Sequence, residues 1–110
     1  MQIGRNREMY MTRGDSEYFL VAIKDYGFQS GDVVTFTVRR HKGLGDVKIQ
    51  KVVTEFDDLK KAHIVIDPED TAQMDFDTYY YDIQVDLHDI GRKTIVPPTK
   101  FVLGEECTYG

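Results

Sequence analysis

The sequence predicts an all-β fold: an antiparallel sandwich of about seven strands, with one short helical turn near residues 68–74. Three observations predict it. Short segments alternate in polarity or are rich in β-branched and aromatic side chains, as strands are. Turn residues (Gly, Pro, Asp, Ser) separate these segments roughly every 8–12 residues, the spacing of a sandwich. Helical apolar spacing is nowhere sustained beyond a single turn. With 110 residues there is room for one domain. At that size folding buries roughly two-thirds of the unfolded chain's surface, enough for a core without metal or disulfide.

The elements follow in order. Residues 1–7 read as a flexible N-terminal arm, 8–104 as the sandwich and 105–110 as a C-terminal tail. The first strand covers 8–12, and Arg13-Gly14-Asp15 turns the chain. The second covers 16–24, with Phe19, Val21 and Ile23 on one face. The third, 33–40, sets Val34, Phe36 and Val38 against Thr35, Thr37 and Arg39. A hairpin through Gly43 and Gly45 leads to the fourth, 47–54. The fifth, 62–66, places Ala62, Ile64 and Ile66 together. Asp67-Pro68-Glu69-Asp70 then reads as a helix start: a capping residue, proline at the first helical position and acids in the first turn. The sixth strand, 78–87, turns Tyr79, Tyr81, Ile83, Val85 and Leu87 inward. The last begins at 93, is interrupted by Pro97-Pro98 and resumes at 99–103. Proline cannot donate to a ladder, so this strand is expected at an edge or where the chain switches sheets. The acidic helical turn before a tyrosine-rich strand resembles the corner between the fifth and sixth strands of immunoglobulin-like folds, with Tyr79 or Tyr81 as the candidate corner tyrosine. Tryptophan and a cysteine pair are missing, so the antibody-type core is not expected.

Net charge is −5, which disfavours nucleic acid and anionic lipid as partners. The longest apolar run, Phe19 to Ile23, is far short of the about 20 residues that span a bilayer. No signal peptide is visible behind the basic first residues, and the single cysteine, Cys107, fits a reducing compartment. Residues 1–54 hold nine basic and six acidic side chains, whereas 55–110 hold five and thirteen. That asymmetry leaves open a basic patch meeting an acidic patch on a neighbouring copy.

No catalytic constellation emerges. Cys107 follows Glu105 and Glu106, whose negative charge works against a reactive thiolate. His41, His63 and His88 have no partner at metal-ligand spacing and read as solvated side chains. Asp67, Glu69, Asp70, Asp75, Asp77 and Asp82 cluster in sequence and raise the question of Ca²⁺, but the glycine and terminal glutamate of an EF-hand loop are missing. Lys42-Gly43-Leu44-Gly45-Asp46 lacks the ending of a phosphate-binding loop. Arg13-Gly14-Asp15 matches an adhesion tripeptide but reads as a turn. No catalytic residue, cofactor or metal ligand is therefore expected, and the residues describe a non-enzymatic structural or binding module.

A set of ordered segments carries a resemblance. They are Met11-Thr12-Arg13-Gly14-Asp15-Ser16, Gly31-Asp32-Val33-Val34-Thr35-Phe36-Thr37-Val38-Arg39, Ile49-Gln50-Lys51, Ile66-Asp67-Pro68-Glu69-Asp70-Thr71, Tyr79-Tyr80-Tyr81-Asp82-Ile83-Gln84-Val85 and Thr94-Ile95-Val96-Pro97-Pro98-Thr99-Lys100-Phe101. Over residues 11–103 the chain resembles the immunoglobulin-like domains of phage and prophage structural proteins. It is similar to the N-terminal domain of tail baseplate upper proteins. The resemblance implies a virion adaptor, assembled in the host cytoplasm, whose partners are other phage structural proteins or further copies of itself; the charge and the short apolar runs speak against nucleic acid and membrane as partners. The candidate interface residues are Met9, Met11, Phe28, Leu44, Tyr80 and Phe101, chosen from presumed edge strands and apolar tips. The competing expectation is a small ligand-binding module, for example for cell-wall glycan, using Tyr80 or the acidic residues at 67–77.

Overall fold

The computed structural model describes residues 2–3, 7–42 and 44–104, the side chains of Gln2, Ile3 and Leu44 excepted. Among them the chain forms β1 (Gln2–Ile3), β2 (Met9–Thr12), β3 (Glu17–Val21), β4 (Val33–His41), β5 (Leu44–Val53), β6 (Ala62–Ile66), α1 (Pro68–Thr71), β7 (Asp77–Leu87) and β8 (Gly91–Gly104). One sheet has the order β1-β2-β8-β7-β4-β5, and it faces a two-stranded sheet, β3-β6. The run β8-β7-β4-β5 is the G-F-C-C′ order of an immunoglobulin-like sandwich, with β3 and β6 standing as B and E. Every pairing is antiparallel but one: β2 runs parallel to β8, Met9 beside Phe101 and Met11 beside Leu103. Strands so far apart in sequence meet because the chain leaves β2 for the other sheet at the Arg13–Gly14 turn, where Gly14 has φ +87°. Within the segment read as an arm, Gln2 and Ile3 pair with Tyr10 and Met9. The tail at 105–110, with Cys107, lies outside the described residues.

Alternation places the core where the sequence pattern expects it. Val34, Phe36 and Val38 of β4 are fully buried, as are Ile64 and Ile66 of β6, and Tyr79, Tyr81, Ile83, Val85 and Leu87 of β7 are buried beside them. Phe36 joins the layers. Its ring meets Phe19 of the opposite sheet edge-on at 5.2 Å between centroids, Tyr81 at 5.7 Å and Phe101 at 6.5 Å.

Boundaries differ in informative ways. β3 ends at Val21 instead of 24, because Asp25 takes φ 61° and folds the chain into a bridge between Ile23 and Tyr26. β5 starts at Leu44 instead of 47, its pairing with β4 carried across irregularities at Val38/Arg39 and Arg39/His41. Pro97 and Pro98 do not interrupt β8. Pairing with β7 shifts register on either side of Ile83, and β2 reaches β8 only from Phe101. The prolines thus sit where one flank of β8 has no strand partner among the described residues and a missing N–H is tolerated. The helical turn is as short as expected. Proline at its first position sets φ, and the Asp70 carboxylate accepts the Asp67 N–H at 2.7 Å. Of the two corner candidates, Tyr79 takes the part: its hydroxyl donates to the Asp75 carbonyl at 2.9 Å. The Tyr81 hydroxyl donates instead to the Arg7 carbonyl.

Candidate functional site

Four of the six candidate interface residues are core residues. Met9 and Met11 point inward from β2, which has strands on both sides. Phe101 points inward from β8, against Phe36. Phe28 is not an apolar tip: it is buried, stacked on Phe56 with centroids 5.0 Å apart. The edge-strand reasoning fails for a topological reason, since the parallel β2–β8 pair moves both strands inside the sheet. Leu44's side chain lies outside the described residues. Tyr80 is half-buried, with the Lys42 ammonium 5.5 Å over its ring, so that face is already occupied.

Several charged residues pair with one another within the chain. Lys51 of β5 reaches Asp70 at 2.8 Å and Asp67 at 3.8 Å, tying α1 to the sheet. Arg40 donates to Asp77 at 2.6 Å and to the Thr78 carbonyl at 3.0 Å, and its guanidinium lies over the Tyr79 ring. Asp77 is held below the usual carboxylate range, first by the Thr78 N–H and then by Arg40. Arg39 meets the buried Asp82 at 2.8 Å. Three bases of the first half, Arg39, Arg40 and Lys51, thus meet acids of the second half within one chain. Among the described residues no three His, Cys, Asp or Glu side chains are grouped to hold a metal ion. The Arg13-Gly14 pair is likewise built in. Arg13 donates to the Met74 carbonyl at 3.3 Å with Phe76 under its guanidinium, and the Gly14 N–H donates to the buried Thr71 hydroxyl at 2.9 Å.

Two histidines expected as solvated side chains have partners. His63 meets Asp57 at 2.7 Å. The Lys61 N–H first, then His63 and the Leu59 N–H, hold the Asp57 carboxyl below its ordinary range. His88 lies in the turn after β7, between Asp32 and Asp89. Asp32 is 0% exposed, and it accepts from the Tyr26 hydroxyl, the Gln29 N–H, the His88 N–H and the His88 ring. Burial alone pushes a carboxyl up, but these four donors together hold Asp32 well below the carboxylate range. No sequence signal connects Asp32 with a residue 56 positions away.

An apolar strip is also exposed. On the outer face of the two-stranded sheet Tyr18 is 68% exposed, Leu20 47% and Val65 47%. Register sets Tyr18 directly opposite Val65 and Leu20 opposite His63. Ser16, Glu17, Tyr18, His63 and Val65 line a shallow cleft of about 430 Å³ there. β3 and β6 each have a single strand neighbour among the described residues. This strip was readable from the sequence, because the alternation that buries Phe19 and Val21 must turn Tyr18 and Leu20 outward. No family model, curated protein or solved structure matches the chain.

Proposed function

We propose that the chain is a non-catalytic structural adaptor of a phage or prophage particle, in the tail or baseplate, that joins virion proteins by docking. The segment order that resembles phage immunoglobulin-like domains supports the setting. On this reading the chain is made in the host cytoplasm and carried into the particle, and its partners are other structural proteins or further copies of itself. The observation that carries the docking role is the Tyr18, Leu20, Val65 strip on a sheet of two strands. Exposed apolar side chains in one contiguous strip mark contact surfaces more often than scattered ones do.

Magnitude narrows the mode of docking. Two strands of five residues present a face of roughly 17 by 10 Å, from about 3.4 Å per residue and 4.8 Å between strands. A lasting interface takes about 800 Å² per partner. The contact therefore has to extend from this face onto neighbouring strand edges, by strand addition as well as packing. A double variant, Tyr18→Ser with Val65→Thr, tests this. Both side chains are exposed, so the free chain is expected to keep its melting temperature within a few degrees. Incorporation into particles, read by immunoblot of purified particles, is expected to fall at least tenfold. Unchanged incorporation would contradict docking at this face.

A further inference from the structure

The turn at 88–90 is held to the segment before β4 by one side chain with two ion partners. His88 Nδ1 is 2.8 Å from Asp32 Oδ1, and Nε2 is 2.8 Å from Asp89 Oδ2. A neutral imidazole carries one N–H, so one of these contacts would set a lone pair against a carboxylate oxygen. With both contacts made, each ring nitrogen is a donor and the ring is an imidazolium. We propose that His88 is a protonated clasp between residues 22–32 and the β7–β8 turn, and that loss of its proton loosens this end of the sandwich.

The surroundings fit a clasp. Asp32 cannot turn to solvent, because the Tyr26 hydroxyl at 2.7 Å and the Gln29 N–H at 2.8 Å fix its second oxygen. Gly31, at φ +100°, lets the backbone come so close that a Cβ there would stand 3.1 Å from His88 Cβ. The groups facing His88 are Asp32 and Asp89, with Tyr26 behind Asp32. Tyr26 itself stays protonated, its hydroxyl pushed up to about 12, first by the hydrogen bond to Asp32 and then by burial. The Asp32 hydrogen bond first, and Asp89 after it, raise the imidazole above its ordinary value against the opposing effect of burial. The sign follows from linkage. A group whose value is raised on folding contributes fully below its unfolded value of about 6.5 and loses that contribution as pH rises through the folded value. Asp32 acts oppositely: its depressed value contributes stability above its unfolded value of about 3.9, and that contribution is lost as pH falls through the folded value. The clasp is thus closed below the ordinary value of about 6.5 and opens as pH rises through the raised folded value.

The test is carried out on the whole chain. The His88 ring is titrated by NMR while amide hydrogen exchange is followed at Gln29, Asp32 and His88, corrected for intrinsic rates. The expected result is a midpoint above about 6.5, with exchange at those amides rising severalfold through the same titration. In Asp89→Asn the midpoint should fall, and in His88→Gln the step should vanish. A midpoint at or below the ordinary value, or an exchange step that survives in His88→Gln, would overturn the proposal.

Discussion

Phe36→Ala is expected to lower the unfolding free energy by about 4 kcal/mol, within the range of about 3–5 for a buried phenylalanine. The ring is fully buried in the middle of β4. Among the described residues it is the one ring in contact with three others, Phe19 across the sandwich and Tyr81 and Phe101 on the same sheet. Truncation removes the burial of its own surface and leaves a void whose walls are β-sheet backbone on one side and the β3–β6 pair on the other. Sheets held by ladders close over such a void poorly, so the cavity contribution is expected near the top of its range. A chain of 110 residues has roughly 5–15 kcal/mol in total, so this is a large share. At about 4 °C per kcal/mol the melting temperature should fall by about 16 °C. Thermal and urea unfolding measure both quantities. A loss under about 1.5 kcal/mol, the cost of a volume-conserving swap, would mean that the two sheets do not meet at this ring.

The second large effect is expected at Asp32. Asp32→Ala removes a buried carboxylate that satisfies four donors and leaves the Tyr26 hydroxyl and two backbone N–H groups without an acceptor. Removing one partner of a buried charged pair costs about 3–5 kcal/mol, because what stays behind is desolvated and unpaired. Part of that relaxes here, since the segment at 22–32 is a loop that can open to water, so a loss of about 3 kcal/mol is expected in urea unfolding. Asp32→Asn separates charge from shape. It keeps an acceptor for the backbone but cannot hold an imidazolium, so it should lose less stability and yet return His88 toward the ordinary value. An unchanged His88 midpoint in Asp32→Asn would contradict the role given to the carboxylate charge.

The pattern of residues carries much of this fold, and the reasons are local. Strict alternation in β4, β6 and β7 needs only neighbours in sequence, and it placed Phe36, Ile64 and Tyr81 in the core. The same holds for α1, where Asp67, Pro68 and Asp70 write the start of the helix within four positions. What could not be read depends on distant partners. The parallel pairing of β2 with β8 joins Met9 to Phe101 and turns presumed edges into interior strands, which is why Met9, Met11 and Phe101 are core and not contact residues. Phe28 sits in a loop, yet it is buried in the core, with Phe56 from another loop stacked on it and Tyr26 edge-on to it. Asp32 and His88 are unremarkable turn residues until the fold brings them together. Tyr18 and Leu20 are the contrary case. Their exposure follows from the same alternation that buries Phe19, and it lies on a sheet face instead of a sheet edge.

The role as a particle component is tested most directly by quantitative protein mass spectrometry of particles released after induction of the source strain. The account predicts that purified particles contain this chain, at a copy number set by the symmetry of the tail or baseplate. Intact particles without it, from cells that express it, would contradict a structural role in the virion.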